Sequence, residues 1–143
     1  SGLIATNTTI SSKTLKKPTS FEGGLSGKPL FEPSNSVLRL LAKKKNASTA
    51  LIGVGGIFSA TDIYEKIKMG ASAVQIYTSF VYNGPRHVKT MEVELKKLLL
   101  NDGYSTIDSA VGALLRWKTS FNSVYFRPKG YSSYWIENYY RSP

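Results

Sequence analysis

Three short apolar runs, each followed by a segment of helical period, constrain this chain more than any other feature. Residues 3–6, 50–54 and 73–77 are too short for helices and show no polar alternation. Strands that are apolar throughout belong to parallel sheets covered by helices. After the first run, Pro33 and Ser34 are expected to open a helix that carries Val37, Leu38, Leu40 and Leu41 on one broad side. After the second, Ser59 and Asp62 fit a capping box ahead of Ile63 and Ile67, and Gly70 ends the helix. After the third, Pro85 starts a longer helix with Val88, Met91, Leu95, Leu98 and Leu99 at helical spacing, closed by Gly103. Ser105 and Asp108 repeat the capping pattern. Three such units in about 110 residues fit part of a (β/α)8 barrel, a fold of about 250 residues. A Rossmann-type sheet is the alternative. No Gly-x-Gly-x-x-Gly turn opens a helix here, and Ser59 stands where the last glycine of such a turn belongs.

In a parallel barrel the chemistry collects at the C-terminal ends of the strands. The first strand end carries Thr6, Asn7 and Thr8, amide and hydroxyl groups that suit a planar, amide-rich, carboxylated ring. The same residues are equally consistent with an Asx or Ser/Thr turn that merely caps the strand. The second end carries Gly55 and Gly56, which let backbone N–H groups approach a phosphate. The third carries Tyr77 and Thr78, with backbone N–H groups and a hydroxyl. A barrel phosphate site commonly uses the loops after strands seven and eight, so the spacing fits strands six, seven and eight. Residues 7–33 read as a long loop, and loops of that length are usually functional.

The chain has no cysteine, which removes disulfides and thiolate metal sites, and its one histidine, His87, cannot build a histidine metal cluster; we expect a surface or loop imidazole. Lys and Arg number 19 against 9 Asp and Glu, a net charge of +10 that favours anionic partners. The lysines are scattered, with Lys13, Lys16 and Lys17 in the loop and Lys43, Lys44 and Lys45 closing a helix, where they offset its dipole. No run of about 18 apolar residues is present. Asn7-Thr8-Thr9 and Asn46-Ala47-Ser48 match the glycosylation sequon, a reading weakened at Asn7 by the adjoining apolar strand. From Trp117 the composition shifts to aromatics interleaved with Lys118, Arg127, Lys129 and Arg141. Such a tail suits either docking or single-stranded nucleic acid. No recognised nucleic-acid module surrounds it, and no nucleic-acid partner is expected.

Several segments in fixed order carry a family resemblance. They are Thr6-Asn7-Thr8-Thr9, Gly23-Gly24-Leu25-Ser26-Gly27-Lys28-Pro29-Leu30, Ile52-Gly53-Val54-Gly55-Gly56, Glu65-Lys66-Ile67 with Gly70-Ala71-Ser72, Val74-Gln75-Ile76-Tyr77-Thr78, and Asn83-Gly84-Pro85. In this order they resemble the class 2, quinone-linked dihydroorotate dehydrogenases, over residues 1–113. The resemblance implies the C-terminal part, about the last three β/α units, of a (β/α)8 TIM barrel, with residues 114–143 a divergent tail. It implies that Asn7 and Thr8 hydrogen-bond the pyrimidine substrate and that Thr6 sits against FMN. Gly27 and Gly56 would line the FMN site through their backbone, and Tyr77 and Thr78 would grip its phosphate. No metal is implied.

The implied activity oxidises dihydroorotate to orotate in de novo pyrimidine biosynthesis. A serine base takes the C5 proton, a hydride passes from C6 to flavin N5, and ubiquinone reoxidises the flavin. In eukaryotes the family resides at the mitochondrial inner membrane. The serine base and the quinone-tunnel helices belong to the family's earlier half, which is not matched here, so we expect a fragment that is inactive alone, with no catalytic residue of its own. Ser11, Ser12 and Ser26 are not substitutes for that base. Another phosphate- or FMN-binding barrel oxidoreductase, or a basic nucleic-acid-binding module acting through the tail, are the competing readings.

Overall fold

The computed structural model describes residues 1–11 and 22–116. Lys13, Lys16, Lys17 and the aromatic–basic tail from Trp117 onward lie outside the described residues. Strands β1 (Gly2–Ala5), β2 (Ala50–Val54) and β3 (Ala73–Gln75) form one sheet in the order β1-β2-β3. Both pairings are parallel, with Leu3 opposite Leu51 and Gly53 opposite Val74. Helices α1 (Phe31–Lys44), α2 (Ala60–Lys68), α3 (Thr78–Asn83), α4 (Pro85–Asn101), α5 (Ile107–Ala110) and α6 (Ala113–Arg116) follow in chain order. This is the β/α alternation expected of part of a (β/α)8 barrel.

Along β2 the side chains alternate in burial although the sequence does not alternate in polarity. Leu51 and Gly53 are buried under the helices, whereas Ala50 is exposed and Ile52 and Val54 are half-buried. Ile4 of β1, paired with Ile52, is 65% exposed on that second face. It is the face that a barrel turns towards its interior.

The helical side holds two apolar clusters. In one, Leu38 of α1 meets Leu51, Met69 and Ala71, with Leu114 of α6 packed against them. In the other, Ile63, Tyr64 and Ile67 of α2 meet Met91, Leu95 and Leu99 of α4. Those six are the positions that the helical period places on facing stripes. Val88, one turn earlier on α4, is 40% exposed. Packed structure therefore continues through α6, past residue 113.

Helix boundaries show where local chemistry decided. Ser59 Oγ accepts the Asp62 N–H at 3.2 Å, as a cap should, but the Asp62 carboxylate reaches back to the Phe58 N–H at 2.8 Å rather than to the cap's own. Helix α1 begins at Phe31, two residues before Pro33, after a 3₁₀ turn over Lys28–Leu30. Pro33 stands third in the helix, where its missing N–H would have had no partner in any case. The cap of α5 is Thr106, not Ser105: Thr106 is extended and its Oγ1 accepts the Ser109 N–H at 3.2 Å. The turn ending α4, with the Tyr104 N–H on Leu99 O, decides which of the two neighbouring hydroxyls reaches the helix start.

The expected third strand, 73–77, is shorter than its apolar run. β3 follows β2 only as far as Val54 opposite Gln75, because β2 then breaks at Gly55 with φ +106. Residues 76 and 77 leave the sheet and lead into α3, which the sequence reading did not anticipate.

One charge lies inside this frame. Lys66 of α2 has no exposed surface, and its Nζ donates to Ser34 Oγ and to Asn35 Oδ1, each at 2.7 Å. It also lies 5.2 Å from the centre of the Phe31 ring. Burial pushes the ammonium down from its ordinary 10.5 to about 8, against the opposing pull of Glu65, Asp62 and Glu32.

Two predictions follow from this packing. Ser59→Ala removes the cap on Asp62 N–H and is expected to cost about 1 kcal/mol in denaturant unfolding. Lys66 has a folded pKa below its unfolded one, so between about pH 8 and 10.5 the unfolded state binds more protons and stability rises with pH. Unfolding midpoints measured from pH 7 to 10 should show that rise, at most about 3 kcal/mol, in the parent protein and not in Lys66→Met. Parallel curves for the two would contradict it.

Candidate functional site

The three strands deliver their C-terminal ends to one cleft of about 220 Å³. Thr6, Asn7 and Thr8 come from the end of β1, Gly55 and Gly56 from the end of β2, and Tyr77 and Thr78 from the residues after β3. A fourth piece, Ser26, Gly27 and Leu30, comes from the β1–α1 connection. All seven positions singled out in the sequence therefore line the same cleft. Gly55, read together with Gly56 at the second strand end, lines it too, as do Ser26 and Gln75, which were not singled out. Gln75 is the last residue of β3, and its strand-end position was the available signal.

The first wall is an extension of the sheet. The Thr6 N–H bonds Val54 O at 3.2 Å, carrying the β1–β2 pairing one residue beyond the strand. Thr6 Oγ1 is buried and has no hydrogen-bond partner among the described residues. Asn7 Oδ1 accepts the Thr8 N–H at 2.7 Å, and Thr9 Oγ1 accepts the Ser11 N–H at 3.1 Å. The capping reading of this segment thus describes part of its local geometry. It uses one face of the Asn7 amide, and Asn7 and Thr8 both remain exposed at the cleft.

The connection after β1 is pinned back over the cleft at two points. Thr9 and Leu25 form an antiparallel bridge, with N···O distances of 3.1 and 2.7 Å. Thr78 Oγ1 donates to Ser26 Oγ at 3.3 Å. Gly27, at φ +79, lies so close to Thr78 that an added Cβ would stand 3.3 Å from its Cγ2. Only glycine takes both that backbone shape and that approach without strain.

The second wall is tighter still. Gly56 has φ +74, and a Cβ there would overlap the backbone of Phe31. The turn after β2 therefore rests on the first turn of α1. At the third wall Tyr77 is the N-cap of α3, and the first N–H groups of a helix have no partner inside it. His87, expected on a surface or loop, lies half-buried on α4, with Nε2 3.1 Å from Phe58 O behind the second wall.

The donor set has a clear chemical character. Among the described residues lining the cleft there is no Asp, Glu, Lys, Arg or His. Hydroxyls, side-chain amides and backbone N–H groups line it, so a negative ligand meets donors and no fixed negative charge. With one buried hydroxyl unpartnered and glycines at close approaches, the cleft suits a polar ligand that carries a negative group.

Comparison with known proteins gives this geometry a family. The dihydroorotate dehydrogenase family model matches residues 1–99. A dihydroorotate dehydrogenase (quinone) of Myxococcus xanthus is 46% identical over 113 residues, covering 78% of this chain and 31% of the relative. The dihydroorotate dehydrogenase (quinone), mitochondrial, of Oryza sativa subsp. japonica is 46% identical over 115 residues, covering 78% and 24%. Among solved structures, the ligand-free DHODH of Eimeria tenella superposes with a TM-score of 0.75 at 38% identity, over 80% of this chain and 32% of that one. The chain spans about a third of the length of the bacterial relative. The match over residues 1–99, with barrel-type strand order, assigns the chain to the dihydroorotate dehydrogenase family.

Proposed function

We propose that this chain forms the FMN and substrate walls of a class 2 dihydroorotate dehydrogenase, which oxidises dihydroorotate to orotate with a quinone acceptor in de novo pyrimidine biosynthesis. The observation that supports it most is the convergence of Thr6, Asn7, Thr8, Gly27, Gly56, Tyr77 and Thr78 on one carboxylate-free cleft. Bound FMN supplies the two-electron acceptor that this oxidation needs. Gly27 and Gly56 hold their backbones where a ring edge would lie, and Thr6 offers its buried hydroxyl. Tyr77 and Thr78 offer backbone N–H groups to a phosphate. Asn7 and Thr8 orient the substrate at the exposed end of the first wall.

The family resemblance assigns proton removal to a serine base in the part of the family that is not matched here. The competing barrel oxidoreductase would share the phosphate-binding features and differ in the substrate contacted by Asn7 and Thr8.

Ubiquinone as acceptor and residence at the mitochondrial inner membrane complete the proposal. Its support is that the rice relative carries "mitochondrial" in its name, while the bacterial relatives do not. Among the described residues no helix is long and apolar enough to cross a membrane.

Three outcomes are expected of the natural protein. Adding dihydroorotate without quinone should bleach its flavin absorption near 450 nm; a flavin left oxidised would refute the substrate. Asn7→Ala should raise KM for dihydroorotate about tenfold or more and lower kcat, since a lost hydrogen bond to a charged or polar ligand is worth about 1.5–3 kcal/mol; unchanged kinetics would remove Asn7 from the site. Gly56→Ala should purify without flavin, because its backbone at φ +74 and its contact with Phe31 leave no room for a Cβ. Stoichiometric yellow protein would show that the second wall is not at the cofactor.

A further inference from the structure

Lys66 is the most deeply buried titratable group among the described residues, and the proposed function has no task for it. It is placed at a cost. A charged amine without exposed surface gives up its hydration. It also faces the first residues of α1, and a cation at a helix N-terminus opposes the helix dipole. An apolar side chain would fill the same space without either penalty.

The surroundings are shaped around it. Gly53 of β2 leaves room for its stem: a Cβ there would stand 3.1 Å from Lys66 Cδ. The ammonium donates to Ser34 Oγ, and that hydroxyl has a single proton of its own to give. It lies 2.9 Å from Phe31 O and 3.1 Å from Gly55 O. With Lys66 occupying an Oγ lone pair, the Ser34 proton is directed towards these carbonyls. One carbonyl belongs to the first turn of α1 and the other to the turn after β2. The same two turns carry Gly56 and Leu30 of the cleft.

We propose that Lys66 is a positioning residue for the cofactor wall: its ammonium, acting through Ser34, holds the turn at Gly55 and Gly56 against the start of α1 so that both line one cleft. The role rests on the reading that this wall receives FMN. Lys66 itself touches no described cleft atom; its influence passes through Ser34 and Asn35. Its ionisation is governed by the same surroundings, with Glu65, Asp62 and Glu32 the charged groups that favour the ammonium.

The test uses the natural protein and two variants, Lys66→Met and Ser34→Ala, with two readouts. The first is FMN affinity, from quenching of flavin fluorescence. The second is amide hydrogen exchange, residue by residue. Both variants should bind FMN at least tenfold more weakly. Both should exchange the amides of residues 55–58 at least tenfold faster, while those of β2 and α4 keep parental rates. Ser34→Ala leaves Lys66 its bond to Asn35 and carries the test if Lys66→Met does not fold.

Parental exchange at residues 55–58 in both variants overturns the proposal, as does acceleration spread evenly over the chain, which is loss of stability alone. If the parent binds no FMN but the local acceleration is found, the positioning role stands and the flavin reading fails. If the local acceleration appears with parental FMN affinity, Lys66 orders a turn the cofactor does not use, and the proposal is overturned.

Discussion

The closeness with which the turn after β2 lies on the first turn of α1 governs the rest of the site. Gly56 touches the Phe31 backbone without a side chain between them, and Ser34 bonds back to Gly55 O. Here two glycines and a buried hydroxyl bring them into contact, so two connections of the fold form a single wall. Lys66, reaching from α2 into the same contact, ties a third element to it. Backbone shape, a hydrogen bond and a buried cation thus meet at one point.

Opposite that wall the chemistry comes from side chains on a sheet extension. Thr6 continues the β1–β2 pairing, and the exposed Asn7 and Thr8 follow it directly. The donors at the cleft thus fall into two groups, backbone N–H held by tight turns on one side and amide or hydroxyl side chains on the other. The first kind suits phosphate and ring edges, which need close approach and fixed dipoles. The second suits a substrate whose amide and carboxylate pattern must be told from its neighbours.

Much of this was legible from order and spacing. The apolar runs at 3–6 and 50–54, the helical stripes of Ile63, Ile67, Met91, Leu95 and Leu99, and the cap at Ser59 follow from local periodicity, and the structure has them. Thr6, Asn7, Thr8, Gly56, Tyr77 and Thr78 could be located from the sequence because they follow the apolar runs, whereas Gly27 came from the family resemblance alone; the structure puts all seven on one cleft. Other features were not readable. Residues 76 and 77 look like strand, yet β3 stops with its partner. Ser105 and Thr106 are equally good caps by type, and the end of α4 chose between them. Lys66 sits in a run of charged residues, Glu65-Lys66-Ile67-Lys68, that reads as a solvated helix face; only the packing of α2 against α1 and Gly53 turns it inward.

What the sequence determined by itself is therefore the kind of fold and the position of its chemistry. Apolar strands without alternation, separated by amphipathic helices, can be satisfied only by a parallel sheet with helical cover, and polar residues after such strands must emerge at one rim. What only the tertiary structure decided is which groups meet there and in what state. The joining of the 26–30 segment to Thr78, the contact of Gly56 with Phe31, and the burial of Lys66 against Ser34 and Asn35 of α1 are all long-range events. Residue type and spacing specify local conformation; they do not specify the few ångströms between elements distant in the chain, and those ångströms set the shape of the cleft and the burial of Lys66 behind it.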